Sequence, residues 1–205
     1  MKGGAQRILA DLRKARALVV HTPDEDRTHL VEHLRRLGCT VGVAWPLPPR
    51  LPPDVDTLLI QVEDIPYDEI SAMLEGRNPA LIAIVTYESP TSLKAIVDLN
   101  AHAVISKPLR LSGILNQFAL ARYRCGFEAR LAAKVRKLED TLKSRRLVDK
   151  AVKLLMQMND VDEDTAYQRL RKQATTRRMP MTQIAQTIVS AHEMMGGSDL
   201  AIKGQ

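Results

Sequence analysis

The chain has 205 residues, with 30 Lys and Arg against 24 Asp and Glu and a formal net charge of +6. That length holds one core of roughly 100 residues plus a helical appendage, and no apolar run approaches the ~20 residues needed to cross a bilayer. Aromatic residues are only 3 % of the chain, which argues against a base-stacking sheet, and Cys39 and Cys125 lie too far apart to frame a zinc site or a disulfide scaffold.

The first twenty residues do not read as a signal peptide, because Asp11, Arg13, Lys14 and Arg16 interrupt any apolar core. The cysteine usage fits a reducing cytoplasm, which is the expected location. Residues 5–16 are predicted as a short helix turning Ile8, Leu9 and Leu12 inward. Strands then alternate with helices. The apolar run Ala17–Val20 reads as a buried strand, Asp26–Leu37 as a helix ended by Gly38 at C′, and Thr40–Ala44 as a second strand. Pro46, Pro48, Pro49, Pro52 and Pro53 forbid a regular helix and mark an extended connection. Further strands are predicted over Thr57–Val62, Leu81–Val85 and Ala103–Ile105, and helices over Tyr67–Leu74 and Pro90–Leu99, with a last helix starting at Leu111. Five short apolar strands separated by helices predict an α/β domain with a five-stranded parallel sheet covered on both faces. The functional edge of such a sheet lies at the carboxyl ends of its strands.

No catalytic constellation accompanies this pattern. His29 and His33 have the i,i+4 spacing of a chelating pair but lack a third ligand, so they read as surface or capping residues, and no metal or cofactor site is expected. The sequence has no phosphate-binding glycine loop and no nucleophile–histidine pairing, so the protein is not expected to be an enzyme.

Charge divides the chain. Residues 17–117 hold 8 Lys and Arg against 13 Asp and Glu, whereas residues 122–178 hold 16 against 8. A basic half of this kind points to a phosphate-bearing partner; its alternative is a solvated helix face. From Ser112 to Met158 only Gly113 and Gly126 disfavour helix, and Gly126 permits a bend. Leu131, Val135, Leu138 and Leu142 follow the 4-3-4 spacing of a coiled-coil seam, until Arg145 and Asp149 interrupt it. The seam predicts a homodimer; packing of the same stripe within one chain is the alternative.

Residues 147–189 read as three amphipathic helices. Val148, Ala151, Leu155 and Met158 face inward in the first, Ala166, Leu170 and Ala174 in the second, and Ile184, Ala185, Ile188 and Val189 in the third. Asp162 is the predicted N-cap of the second helix, and Pro180 suits the first turn of the third. Arg169, Arg171, Lys172, Arg177 and Arg178 crowd ten residues opposite the apolar positions. Arg171 and Arg178, seven residues apart, share a side if the helix reaches both. These five cations, with Lys150 and Lys153 as phosphate contacts, are the candidate nucleic-acid residues. Tyr167 is open to two readings, stacking on a base or packing in the core.

Two resemblances follow from these residues. Ala151, Leu154-Leu155-Met156, Ala166-Tyr167, Leu170-Arg171, Ala174, Arg177-Arg178 and Ala185 resemble the ANTAR domain, a three-helix RNA-binding module of bacterial transcription antiterminators. Val152 departs from it where Lys is frequent, removing a basic contact, and Thr175 where Met is usual, repacking a core position. The strand order with Thr86 and Lys107-Pro108 resembles the flavodoxin-like receiver domain of response regulators. The receiver's acidic pair is replaced by His21-Thr22-Pro23, with Asp24 displaced, and its phospho-acceptor position falls on Gln61 or Val62. Phosphoryl transfer needs carboxylates to hold Mg²⁺ and a carboxylate nucleophile, and an amide or an alkyl group supplies neither. Glu63 and Asp64 come one or two residues late, so a pseudo-receiver is expected.

The whole order resembles the amidase-operon antiterminators. That resemblance implies a pseudo-receiver over 1–117, a coiled-coil helix over 118–146 and an ANTAR bundle over 147–195, while the small, polar stretch 196–205 reads as a flexible tail. It also implies binding to paired hairpins of a leader transcript, which prevents a terminator from forming. Control would come from a ligand-sensing partner resembling a periplasmic binding protein. A DNA-binding regulator of the receiver/helix-turn-helix type and a protein that meets an acidic partner are the other readings.

Overall fold

The computed structural model describes residues 6, 10–63 and 65–198. Strands β1 (Arg16–Val20), β2 (Thr40–Ala44), β3 (Thr57–Gln61), β4 (Ala80–Val85) and β5 (Ala103–Ser106) alternate with helices α1 (Glu25–Arg36), α2 (Tyr67–Leu74) and α3 (Pro90–Asp98). Helix α4 runs from Leu111 to Asn159, followed by α5 (Glu163–Arg177) and α6 (Met181–Ser198). The chain divides into two compact units between Arg130 and Leu131. Among the described residues, no helix is long and apolar enough to cross a membrane.

In the first unit the strands form one parallel sheet in the order β2-β1-β3-β4-β5. The central strands β3 and β4 are buried along their whole length, as a sheet covered on both faces requires. Because successive side chains point to opposite faces, Val19, Leu59, Ile82 and Ile84 pack with Leu30 and Leu34 of α1 and with Ile114 and Phe118 of α4. Their neighbours Leu18, Val20, Leu58, Ile60 and Leu81 pack with Ile70 and Met73 of α2. The chain reverses its direction of winding between β1 and β3, so the crevice at their carboxyl ends is the expected ligand position.

Local chemistry explains the element ends. Asp24 caps α1 by accepting from the Arg27 N–H at 2.8 Å. Gly38, at φ +95°, ends it, and a Cβ there would meet Arg13 Cγ at 3.0 Å. Ser89 and Ser92 form a capping box at the start of α3, with Pro90 in its first turn. The proline-rich connection has few backbone donors of its own. Arg77 gathers its carbonyls instead, bonding the oxygens of Leu51, Pro52, Pro53 and Val55 at 2.6–3.2 Å. Arg122 of α4 pairs with Asp11 and Asp56 and also donates to Thr57 Oγ1. Its side chain is only 12 % exposed. Burial alone would favour the neutral guanidine, but the two carboxylates outweigh it and raise the Arg122 pKa further.

In the second unit Val148, Ala151, Val152, Leu154, Ala166, Leu170, Ala174, Ile184, Ala185 and Val189 form one core. Several expectations change. Met158, predicted to face inward, is 56 % exposed, because the helix ends one residue later and Asp160 turns left-handed at φ 48°. Val152 is buried, so at this position an apolar contact replaces a cation. Thr175, expected to repack the core, is exposed, and its hydroxyl donates to the Arg171 carbonyl at 3.0 Å. Gly113 and Gly126 do not interrupt α4. The predicted N-terminal helix is seen over 10–13, with Leu12 buried, while Ile8 and Leu9 lie outside the described residues. Helix α6 continues to Ser198, past Gly196, and residues 199–205 lie outside the described residues.

Candidate nucleic-acid interface

Helix α5 starts where Asp162 accepts from the Thr165 N–H at 3.0 Å. Burial of Ala166, Leu170 and Ala174 on one side fixes what the other side presents. Arg169, Arg171, Lys172 and Arg177 are all exposed there, as is Lys153 on α4. Arg178 is exposed too, but it is not helical. It lies in the left-handed region at φ 51°, and its N–H closes the helix onto Ala174 and Thr175. The helical-wheel placement of Arg178 beside Arg171 therefore fails. The turn is needed because Met179, preceding Pro180, is disfavoured in helical geometry.

Among the described residues, Lys153, Arg169, Arg171, Lys172, Arg177 and Arg178 make no ion pair. Lys150 differs: its ammonium meets Glu193 of α6 at 2.6 Å. Tyr167 is 39 % exposed, so part of its ring is open to contact. On α4 the seam residues Leu131, Val135, Leu138 and Leu142 are all exposed, Leu138 at 64 %. Exposed leucines at coiled-coil spacing are an apolar stripe without a cover in the single chain.

The carboxyl edge of the sheet is built differently. Gln61 and Val62, at the end of β3, are buried, and Gln61 accepts from the Thr22 hydroxyl at 3.1 Å. Lys107, which precedes Pro108 across a cis peptide, reaches Asp24 at 3.0 Å and lies 3.9 Å from Asp26. Asp24 is thus helix cap and counter-ion together. Partial burial opposes its ionisation, but the Arg27 amide and the Lys107 ammonium prevail and lower its pKa. His21, fully buried beside it, bonds the Thr22 carbonyl through Nδ1 at 2.8 Å. Thr86 turns to Glu63, not to β3. Asp64 lies outside the described residues. The expected remnants therefore do come to one edge, where Lys107 is taken up by Asp24 and Thr86 by Glu63. The sequence named these groups but gave no sign of their pairing.

Residues 15–122 match the family described as AmiR, N-terminal, and residues 136–189 match the ANTAR domain. The aliphatic amidase regulator of Pseudomonas aeruginosa is 35 % identical over 188 residues, covering 90 % of this chain and 96 % of that protein. The chain belongs to the AmiR family of ANTAR-domain transcription regulators. The transcriptional regulatory protein PdtaR of Mycobacterium tuberculosis is 24 % identical over 122 residues, 60 % of each chain. Among solved structures, a signal receiver domain of a modulated diguanylate cyclase from Desulfovibrio desulfuricans is superposable with a TM-score of 0.50. It is 17 % identical and covers 56 % of this chain and 98 % of that one. The response regulator StyR gives 0.51 at 12 % identity, covering 85 % of this chain and 99 % of that one. These two likenesses establish the fold alone. The AmiR-family chain thus joins a receiver-like α/β unit, with no carboxylate at Gln61 or Val62, to an ANTAR module with an exposed basic face.

Proposed function

We propose that the chain is an RNA-binding transcription antiterminator that acts in the cytoplasm as a homodimer, without catalysis or a cofactor. The observation that carries this reading is the exposed basic group Lys153, Arg169, Arg171, Lys172, Arg177 and Arg178, left without ion pairs among the described residues on a closed three-helix module. Unpaired guanidinium groups suit bidentate contacts to phosphate and to guanine edges. The match to the ANTAR domain and the identity to a curated amidase regulator favour a leader-transcript hairpin as the target. Binding there would keep the overlapping terminator from forming.

The exposed Leu131, Val135, Leu138 and Leu142 support dimerisation, since a second copy would cover them. Control by a ligand-sensing partner resembling a periplasmic binding protein fits a receiver whose β3 ends in Gln61, with Val62 next, in place of a carboxylate. Acetyl phosphate with Mg²⁺ should then add no phosphate mass. Stoichiometric acid-labile phosphate on Asp24 or Asp64 would overturn that part of the proposal.

A competition shift assay of the full chain tests the main reading. Hairpin RNA should displace labelled hairpin, and duplex DNA should not. Preferential displacement by duplex DNA would make the protein a DNA-binding regulator instead. No shift with either nucleic acid would leave the basic face to an acidic protein partner.

A further inference from the structure

Glu63 stands in the loop between β3 and α2, where its carboxylate meets three donors from the loop after β4. The Thr86 N–H donates to Oε1 at 2.6 Å, the Thr86 hydroxyl to Oε2 at 2.6 Å, and the Tyr87 N–H to Oε1 at 3.2 Å. Two consecutive amides and a hydroxyl converging on one oxyanion make a concave anion site, and hydrogen bonds to a charged acceptor are about twice as strong as neutral ones. Partial burial opposes ionisation of Glu63, yet the Thr86 hydroxyl and the Thr86 and Tyr87 amides, aided by the Lys107 charge, hold its pKa below the usual carboxylate value. The far side of this loop is also pinned: the buried Ser92 reaches the Tyr87 carbonyl at 3.1 Å.

We propose that residues 86–87 form an oxyanion-binding site which the chain fills with its own Glu63 carboxylate, locking the β4–α3 loop in one arrangement and closing the site to external anions. Glu63 reaches the site because it lies two residues beyond Gln61, in the loop and free of the sheet. A carboxylate held in cis is present at high effective concentration and needs no bimolecular encounter, so it excludes a millimolar competitor. The same loop contributes Tyr87 to an open cleft of about 640 Å³ that Glu63, Ile65 and Tyr67 also line. A locked loop fixes that wall as well. The inference concerns the α/β unit alone and does not depend on RNA binding.

Amide NMR of the full-length protein tests it, with inorganic phosphate as the probe. In the wild type, the Thr86 and Tyr87 amides should exchange at least tenfold slower than unprotected turn amides and should not respond to phosphate. In Glu63→Ala both resonances should move upfield, exchange should quicken by tenfold or more, and millimolar phosphate should reverse both changes saturably. Adding Thr86→Val to Glu63→Ala should abolish the phosphate response, whereas adding Thr86→Ser should retain it. Glu63→Gln keeps the side-chain shape and should weaken protection without restoring sensitivity to phosphate. Should Glu63→Ala fail to fold, Glu63→Ser, whose side chain is too short to fill the site, takes its place with the same expected phosphate response. Unprotected wild-type amides, or wild-type shifts and exchange in the variants, would overturn the proposal. So would a Glu63→Ala protein whose freed amides ignore phosphate, since the contact would then be a loop tether and no anion site.

Discussion

Cations in the two units have different fates. In the α/β unit Lys107, Arg122, Arg16, Arg50 and Lys94 each meet a carboxylate, and Arg77 is consumed by four carbonyls. In the helical unit a single ion pair, Lys150–Glu193, joins the described residues. Matched charges hold backbone segments together, while unmatched ones on a packed module remain available to a polyanion. The receiver fold has here kept its architecture while its signalling edge has become a set of internal bonds. On the proposed reading, the surface that would meet phosphate is the exposed face of the ANTAR module.

The largest expected effect is on the unmatched side. Arg171→Ala combined with Arg178→Ala should weaken hairpin binding by about 2–6 kcal/mol, if each Arg is worth ~1–3 kcal/mol and the two act independently. If one of them contacts phosphate only, its removal should lower the salt slope of log K by roughly 0.7–0.9 and weaken cognate and scrambled RNA alike. Unfolding free energies should stay within about 0.5 kcal/mol of wild type, because among the described residues neither side chain makes an ion pair. Titration at several salt concentrations, beside urea denaturation, separates affinity from stability. Unchanged affinity and slope would reduce this face to a solvated surface.

On the matched side the expectation is inverted. Arg122→Ala should leave hairpin affinity of the folded protein untouched and cost about 2 kcal/mol of stability, since Asp11, Asp56 and Thr57 lose a shared, largely buried partner. The only tryptophan, Trp45, lies just after β2, so its fluorescence follows the α/β unit. The urea midpoint should fall without a change in m. An unchanged midpoint would show that this node contributes nothing beyond its neighbours.

What could be read from the sequence follows the range of each interaction. The strands were legible from their apolar runs, and the helix ends from Gly38, Asp162 and Pro180, because these signals are local. The basic cluster was legible for the same reason. The left-handed turn at Arg178 was not, because no glycine marks it. Nor were the pairings of Lys107 with Asp24, of Arg122 with Asp11 or of Thr86 with Glu63, which span 83, 111 and 23 residues. His21 and His102 gave no sign of burial either. His102 Nδ1 accepts the Leu81 N–H at 3.1 Å and thereby satisfies a strand-end donor, a role set wholly by the fold.

Acid should sharpen the contrast at smaller amplitude. Asp11, Asp24 and Glu63 of the α/β unit all have lowered pKa values in the folded protein. A depressed carboxylate pKa adds stability that is fully present above the unfolded-state value and is lost as pH falls through the folded-state value. The Trp45-detected urea midpoint should therefore decline most steeply as pH drops through and below the ordinary carboxylate range, after a smaller fall in the histidine range, because burial lowers the pKa of His33. Arg122→Ala should show a shallower decline, because Asp11 then loses its main partner. Identical acid profiles for variant and wild type would mean that the Asp11–Arg122 contact does not bias Asp11 toward its charged form.

The smallest effect concerns the matched pair that the described residues hold on the helical side. Lys150 and Glu193 are both well exposed, so their contact is screened and contributes little to stability. Its consequence lies in availability: while Glu193 holds the ammonium, Lys150 should be a weaker phosphate contact than Lys153, which has no such partner among the described residues. Glu193→Gln should leave the helical content by circular dichroism and the unfolding midpoint unchanged. It should also raise hairpin affinity a few-fold at low salt and steepen the slope of log K by less than the ~0.7–0.9 of a whole phosphate contact. Lys150→Ala should do the opposite, and adding Glu193→Gln to Lys150→Ala should change nothing further, because the carboxylate then has no cation to withhold. If Glu193→Gln strengthens RNA binding equally with and without Lys150, the gain comes from general repulsion between Glu193 and the RNA backbone, and Lys150 is no phosphate contact. A fall in the midpoint of Glu193→Gln would instead make the pair a tether between α4 and α6, placing this cation with the structural ones of the α/β unit.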